Sequence, residues 1–114
     1  MALALNVFKT VTKVATTNPV GIYTAPVGYT GVVLLAQVAN IDTQTHQISF
    51  SHQRKITGIA VTTEILKNFA IPANDTVNLL SGKLVLEPGD GLVLSGTSTT
   101  TNLKFIGSIL ETLN

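Results

Sequence analysis

Residues 84–94 read LVLEPGDGLVL, with one Leu-Val-Leu triplet on each side of a Pro-Gly turn. Proline followed by glycine suits the two central positions of a type II turn, because proline fixes φ and glycine accepts a positive φ. Apolar runs bounded by such turn residues are typical of β-strands. We therefore predict a β-hairpin in which residues 84–86 pair with residues 92–94.

The same alternation of short apolar runs and turns continues in both directions along the chain. No segment of ten or more residues has a convincing helical period, although a short helix competes with a strand at residues 64–71. Residues 54–63 contain Gly58 and are predicted as a loop, in which residues 59–61 could form a short strand. The other predicted strands cover residues 7–14, 22–24, 32–39, 47–53, 76–80 and 103–110.

These strands predict an all-β chain of one domain, residues 1–114, with residues 1–6 as a candidate N-terminal arm. The expected architecture is a compact antiparallel β-sandwich or a jelly-roll-like barrel of about eight strands. The predicted core consists of the large apolar residues on one phase of each strand, namely Val32, Leu34, Val38, Ile48, Phe50, Phe69, Leu84, Leu86, Leu92, Leu94, Phe105 and Ile109.

Residues 32–39 are apolar on both alternation phases, which indicates a strand that is covered on both faces. The cover could be a neighbouring subunit or an overlying loop. Alternatively, this is a central sandwich strand whose outer face is partly exposed. The sequence leaves these alternatives open.

Charge is the most informative part of the composition. Only 11% of the residues are charged, against about 25% in an average soluble domain, and threonine is the commonest residue. A net charge of +1 argues against nucleic-acid binding. Small isolated monomers usually keep a charged surface, so the deficit favours a protein that is covered within an assembly. Some secreted β-domains are also rich in threonine and poor in charge.

No catalytic, cofactor-binding or metal-binding group is predicted. The absence of cysteine excludes disulfides and thiolate ligands. His46 and His52 on one extended strand would lie about 20 Å apart, which is too far for one metal ion. The six carboxylates are scattered, and Asp75 and Asp90 fall in predicted turns, where aspartate is favoured for local hydrogen bonds. We therefore expect a protein that is not an enzyme.

The chain is not expected to enter or cross a membrane. Its longest apolar run, residues 32–39, is far shorter than the roughly 20 residues of a spanning helix. Residues 1–5 are apolar, but no basic residue precedes them and Lys9 and Lys13 follow, which is a poor match to a signal peptide.

Candidate interface residues lie at both ends of the chain and in two internal segments. Apolar end segments either pair within their own subunit or cover a neighbour. The Arg54-Lys55 pair either contacts an acidic partner surface or forms a solvated loop tip. The candidate subunit or partner interface comprises Leu3, Leu5, Phe8, Val33, Leu35, Arg54, Lys55, Leu110 and Leu113.

Four segments carry a resemblance to a known group of proteins: ALNVFKT at residues 4–10, IYTAPVGYT at 22–30 with the apolar strand after it, IPAND at 71–75 continuing to GKLVLEPGD at 82–90, and SILETL at 108–113. In this order they resemble small virion structural proteins of tailed bacteriophages, in particular contractile-tailed phages of cyanobacteria. The resemblance spans nearly the whole chain and is least good at residues 54–63. It rests on strand and turn patterns.

The resemblance implies a non-enzymatic virion component that assembles in the host cytoplasm. We favour a capsid decoration or cement protein that binds the assembled shell as a homo-oligomer, with a trimer preferred. Its partner would be the major capsid protein. A neck, tail or baseplate accessory protein, with neck or tail proteins as partners, is the main alternative. A glycan-binding module that uses residues 97–101 and 54–63 is a weaker one, because the chain has no tryptophan and few tyrosines.

Overall fold

The computed structural model describes residues 5–56 and 58–114, and every regular element in this part of the chain is a β-strand. No helix that is long and apolar enough to cross a membrane occurs among these residues. The strands, in chain order, are β1 (Asn6–Val14), β2 (Val20–Thr24), β3 (Tyr29–Asn40), β4 (His46–Ile56), β5 (Ile59–Ile71), β6 (Asp75–Asn78), β7 (Leu84–Leu86), β8 (Gly91–Gly96) and β9 (Leu103–Leu113).

The strands form two antiparallel sheets that pack face to face. Sheet A has the order β1-β9-β3-β6, and β7 pairs with the other end of the same edge of β3. Sheet B has the order β2-β8-β4-β5. The prediction of an all-β sandwich is therefore confirmed, with nine strands.

Strand β9 joins the two ends of the chain within sheet A, because it pairs with β1 on one side and with β3 on the other. The backbone N–H of Leu113 donates to the carbonyl oxygen of Leu5 at 2.8 Å, and Asn6 pairs with Thr112. Residues 5 and 6 thus belong to the sandwich and not to a free arm. Residues 1–4 of the predicted arm lie outside the described residues.

The core lies between the inner faces of the two sheets. Phe50 of sheet B stacks on Phe105 of sheet A, with ring centroids 6.0 Å apart, and both are buried. Burial of each such side chain contributes roughly 1.5–3 kcal/mol. The remaining fully buried large apolar residues surround this pair: Val33, Val38, Ile48, Ile71, Leu86, Leu92, Leu94, Leu103 and Ile109.

The predicted hairpin of residues 84–94 is wrong, although the turn at its centre is present. Strand β7 pairs with β3 in sheet A, whereas β8 pairs with β2 and β4 in sheet B. The turn closes with a hydrogen bond from Asp90 N–H to Glu87 O at 2.9 Å, and Gly89 has a φ of +89°. The Pro-Gly turn therefore forms as predicted, but the two strands that it connects lie in different sheets and do not pair with each other.

The predicted loop at residues 54–63 is wrong, although the short strand considered at residues 59–61 is present as the start of β5. Residues 54–56 and 59–63 form the distal part of the β4–β5 hairpin, whose paired residues include Arg54 with Val61 and Lys55 with Ala60. Gly58 marks the turn, with a φ of +80°. Residues 64–71 continue β5 as a strand, so the helical alternative is excluded.

Three residues of the predicted core lie elsewhere. A β-bulge between Val33 and Leu35 changes the phase of β3, so that Val33 faces inward and Leu34 is exposed. Val32 is half-buried on the outer side. Phe69 is exposed, because β5 is the edge strand of sheet B and lacks a neighbour on one side.

Candidate functional site

An apolar row crosses the outer face of sheet A. In an antiparallel sheet, residues that are directly opposite each other project from the same face. Phe8 of β1 pairs with Leu110 of β9, Leu110 pairs with Val32 of β3, and Val32 pairs with Val85 of β7. Phe8 is 75% exposed and Val85 is 55% exposed. The four side chains therefore form a continuous hydrophobic row across four adjacent strands.

The rest of this outer face is almost free of charge. A second row contains Thr10, Ser108 and Leu35, and a third contains Thr12, Ile106 and Gln37. Among the described strand residues that point outward from sheet A, Lys104 carries the only charge, and it lies in the terminal row. Lys83, which directly precedes β7, borders the same face beside Leu34 and Leu35. The remaining outward strand residues are Asn6, Val14, Thr30, Leu34, Ala39, Thr76, Asn78 and Thr112.

The outer face of sheet B has a different composition. Its central positions are Ser49, which is paired with Ser95, and Ser51, which is paired with both Val93 and Glu64. Gln53, paired with Thr62, continues this polar surface towards the hairpin. Ser51 is buried and Ser49 is half-buried, but Lys55, Thr62 and Glu64 on the same face are exposed. This face is therefore the polar, water-facing side of the sandwich.

The β4–β5 hairpin extends beyond the paired region of sheet B. Strand β4 pairs with β8 only as far as Gln53, whereas it remains paired with β5 to its end. The chain measures 48 × 29 × 24 Å along its principal axes. Ile59 is 68% exposed and Val61 is 48% exposed on one side of this extension. These two side chains make a second, smaller apolar surface.

An ion-pair cluster lies at the base of the hairpin. Arg54 reaches back to Asp90, with Nε–Oδ1 at 3.0 Å and Nη2–Oδ2 at 2.7 Å, and to Glu87 Oε2 at 2.9 Å. His52 Nε2 lies 3.1 Å from Asp90 Oδ2, and the backbone N–H of Glu87 donates to the same oxygen at 3.0 Å. The Asp90 side chain is only 4% exposed. The cluster fastens the hairpin to the β7–β8 connection.

The electrostatics of this cluster are those of a structural ion pair. Hydrogen bonds from Arg54 lower the pKa of Asp90 from 3.8 to about 2, against an opposing effect of burial. The same contact raises the pKa of Arg54 above its ordinary value. Both groups therefore keep their charges across the range in which proteins work, and neither is poised to exchange a proton with a substrate.

A second buried carboxylate joins the two sheets. Glu111 of sheet A accepts a hydrogen bond from the Tyr23 hydroxyl of sheet B, and Lys9 Nζ lies 3.2 Å from its Oε1. Burial raises the pKa of Tyr23, and the hydrogen bond to Glu111 and its charge raise it further. This contact closes the sandwich on the side of β1 and β2.

The two histidines bind different aspartates. His46 Nε2 lies 2.8 Å from Asp42 Oδ2, and its Nδ1 lies 3.3 Å from Thr97 Oγ1. The hydrogen bond from His46 is the main cause of a lowered Asp42 pKa. Thr97 Oγ1 also accepts the backbone N–H of Gln47 at 2.9 Å. The contacts tie the β3–β4 turn to the β8–β9 connection.

No group of three or more potential metal ligands occurs in the described part of the chain.

The structure brings some of the predicted interface residues together and separates others. Phe8 and Leu110 are direct partners on the outer face of sheet A, and Leu35 lies one row away. Leu5 is exposed beside this face, and Leu3 lies outside the described residues. The other four predicted interface residues, which lie away from the outer face of sheet A, are Val33, Arg54, Lys55 and Leu113.

The prediction of Val33 as an interface residue is wrong, because Val33 is fully buried in the core and cannot contact a partner. Arg54 is not a solvated loop tip, since its guanidinium group is held by Asp90 and Glu87. Lys55 is exposed on the outward side of the hairpin. Leu113 is half-buried on the inner side of sheet A, opposite Tyr29.

Sequence reasoning missed Val32, Val85 and Ile106 on sheet A, and Ile59 and Val61 on the hairpin. The two apolar phases of residues 32–39 were the available signal for Val32. No comparable signal marked Val85, because its place beside Val32 depends on a pairing between strands that are far apart in the sequence.

No protein-family model and no curated protein matches this chain. Two solved structures share its fold. A chain of the T13 IBDV viral particle, an icosahedral virus, has a TM-score of 0.56 and 9% identity over 97% of this chain. A chain of the Bacillus endospore appendages, which are disulfide-linked pili, has a TM-score of 0.51 and 15% identity over 100% of this chain.

The two matches differ in extent. This chain spans 32% of the length of the IBDV chain but 97% of the length of the endospore appendage chain. At these identities the likeness shows the fold alone. The absence of cysteine also means that this chain cannot form the disulfides that link those pili.

Proposed function

We propose that this chain is a non-enzymatic structural component of a tailed-phage virion, and that it decorates the assembled capsid shell as a cement protein. The observation that carries the proposal is the uncharged apolar row Phe8–Leu110–Val32–Val85 on the outside of a rigid sandwich. An exposed hydrophobic row on an otherwise neutral sheet marks a surface that is covered in the working state.

The distribution of charge supports an assembly protein. Arg54 is paired with Asp90 and Glu87, and Lys9 is paired with Glu111. Five of the thirteen charged side chains are thus used inside the subunit. Most of the outer face of sheet A is left to interact through apolar and hydroxyl groups, which tolerate close contact because little charge has to be desolvated.

The projecting β4–β5 hairpin is the part that we propose to contact the shell. Ile59 and Val61 form a compact apolar tip, and the Arg54–Asp90 clamp holds its base. Contacts of this size are weak singly, but many copies on a symmetric shell bind tightly through avidity. A trimer would match the threefold and quasi-threefold positions of a shell.

The test uses empty shells assembled from the major capsid protein of the same genome. Purified protein is mixed with the shells, and co-sedimentation is measured over a dilution series. We expect saturable binding at a fixed copy number per shell. The Ile59→Lys, Val61→Lys double variant should bind at least about tenfold more weakly, whereas Thr62→Lys, on the opposite side of the hairpin, should bind like the parent.

Purified necks, tails and baseplates of the same phage form the second arm of this experiment. Binding to one of these fractions, with none to shells, would contradict the decoration role and support the accessory alternative. Failure to bind any virion fraction would overturn the virion assignment itself.

A further inference from the structure

The outer face of sheet A has the properties of a contact between two copies of one chain. We propose that a second copy of this protein covers this face, and that the two sheets pack face to face about a two-fold axis. The contact does not depend on which part of a particle the protein occupies. It is also distinct from the hairpin tip, which belongs to sheet B.

The shape of the apolar row suits sheet-on-sheet packing. Phe8 and Val85, at the two ends of the row, are more exposed than Leu110 and Val32 between them. Ile106 and Leu35 add apolar side chains in neighbouring rows. Two sheets that pack in this way lie about 10 Å apart and interdigitate such side chains.

The charge pattern favours an identical partner over a charged one. Lys104 lies in the terminal row, at the opposite end of the face from Thr30 and Thr112. A two-fold axis perpendicular to the strands, through the row of Phe8, Leu110, Val32 and Val85, sets this row against itself in the other copy and reverses the order of the rows on either side. Lys104 is three rows from this axis and lies outside the contact. Lys83, which borders Leu35 and Gln37, lies on one side of the axis and its counterpart on the other, so that no like charges meet directly.

The size of the face is sufficient for a stable pair. With strands about 4.8 Å apart and a rise of about 3.4 Å per residue, the face covers about 600 Å² per copy. Two copies would bury about 1,200 Å², the lower limit of a standard specific interface. A partner with a charged surface would lose the hydration of its charges here and gain no ion pair in return.

The contact predicts an even number of chains in the particle that forms in solution. A dimer satisfies it directly. A trimer whose three A sheets face the same way satisfies it by pairing with a second trimer, which gives a hexamer. The two-fold contact and the proposed trimer are therefore compatible, and loss of the contact should halve the mass in either case.

The experiment measures solution mass by light scattering after size exclusion, over a dilution series. The Phe8→Lys, Val85→Lys double variant is compared with the parent and with Thr62→Lys, which adds charge to the other sheet. We expect the mass of the double variant to be half that of the parent and Thr62→Lys to leave the mass unchanged. Both substituted side chains are exposed, so a melting temperature near that of the parent confirms that the variant folds.

A second measurement locates the contact without weakening it. The chain has no cysteine, so Ser108→Cys introduces a single thiol in the central row of sheet A, and Ser95→Cys introduces one on the outer face of sheet B. A bis-maleimide that spans about 17 Å, the distance expected between the two Ser108 positions, should join two Ser108→Cys chains efficiently and two Ser95→Cys chains poorly.

Three results would overturn the proposal. One is a parent protein that stays monomeric at all concentrations. Another is a double variant that keeps the mass of the parent. The third is equal crosslinking of the two cysteine variants. If the double variant keeps its mass but loses binding to shells, the face belongs to the shell contact, and the virion assignment stands while this inference fails.

Discussion

The two outer faces of the sandwich differ more than the two inner ones. The inner faces meet through similar apolar side chains, as in the stacked pair of Phe50 and Phe105. Outside, sheet A carries Phe8 and Val85 in a neutral row, whereas sheet B presents Ser49 and other polar groups. A single average hydropathy for the chain hides this asymmetry. Only strand register assigns each apolar residue to a face.

This difference has a physical cause in the sequence of β3. A strand with one solvated face alternates between apolar and polar residues, as β4 does around Ile48 and Phe50. Strand β3 is apolar on both phases and adds a bulge between Val33 and Leu35. Such a strand makes sense where both of its faces are covered, one by the core and the other by a partner.

The largest expected effect is the difference in unfolding free energy between removing a phenylalanine ring from the core and removing one from the outer face of sheet A. Phe50→Ala removes a fully buried ring and should lower the free energy of unfolding by about 3–5 kcal/mol. Phe8→Ala removes an exposed ring of the same size and should change the unfolding free energy of the subunit by less than about 0.5 kcal/mol. Urea denaturation at low protein concentration checks both. Equal effects would contradict the assignment of Phe8 to the outer face.

Two strand glycines of sheet B provide the next comparison. A Cβ at Gly96 would lie 2.5 Å from Leu103 Cδ1 and 3.1 Å from the Gln47 carbonyl oxygen. Gly96→Ala should therefore cost about 1–3 kcal/mol. A Cβ at Gly21 meets nothing within 4 Å, so Gly21→Ala should be neutral within about 0.5 kcal/mol. Thermal unfolding of both variants measures these effects, and an unchanged stability of Gly96→Ala would refute the tight packing of Gly96 against the Gln47 backbone.

A third, smaller effect tests the ion pair of Arg54 with Asp90, the clamp at the base of the β4–β5 hairpin. Asp90→Asn should lower the free energy of unfolding at pH 7 by about 1 kcal/mol, a modest value because the Arg54 side of the pair is open to water. The folded-state pKa of Asp90 is lowered from 3.8 to about 2. Its stabilisation is therefore complete above pH 3.8 and is lost as the pH falls through 2.

Melting temperatures between pH 7 and pH 2 check this prediction. The parent should lose stability more steeply than Asp90→Asn in the acid part of the range, so that the two profiles converge. Asp75→Asn, at an exposed position in β6, serves as the control and should follow the parent. Parallel profiles for the parent and Asp90→Asn would show that the clamp adds no stability.

The smallest expected effect is that of salt on self-association, which tests whether the contact uses the neutral face of sheet A. Self-association through the neutral face of sheet A should change by less than about threefold between about 50 and about 500 mM NaCl, because salt screens only charged contacts. Sodium sulfate should strengthen the association, since it favours apolar burial. Analytical ultracentrifugation measures both. A dissociation constant that rises about tenfold with NaCl would place the contact on a charged surface instead.

Local sequence determined most strands but not their partners. Residues 7–14, 32–39 and 103–110 were predicted close to β1, β3 and β9, because apolar runs and turn residues are local signals. The pairing of β7 with β3 joins segments about 50 residues apart, and no local signal carries that information. The symmetry of the two Leu-Val-Leu triplets favoured a hairpin, whereas the tertiary fold places them in opposite sheets.

The candidate surfaces were predictable only in part for the same reason. Phe8 and Leu110 were recognised as apolar residues near the chain ends, and register makes them neighbours. Val33 was assigned to the wrong side because a one-residue bulge reverses the phase that alternation would give. Asp90 was correctly placed in a turn, but its bond to Arg54 spans 36 residues.

The central position of β9 also governs the order in which the chain can fold during synthesis. Sheet B can pair once β8 has left the ribosome. Sheet A has to wait for β9, because β1 and β3 touch each other only through it. Until then, β1 lacks its partner strand, and β3 is paired only on the side of β6 and β7. Both strands therefore have free backbone groups beside apolar outer residues, a state that promotes aggregation. The surface proposed to join two finished subunits is thus also the one most exposed to misassociation while each subunit is being made.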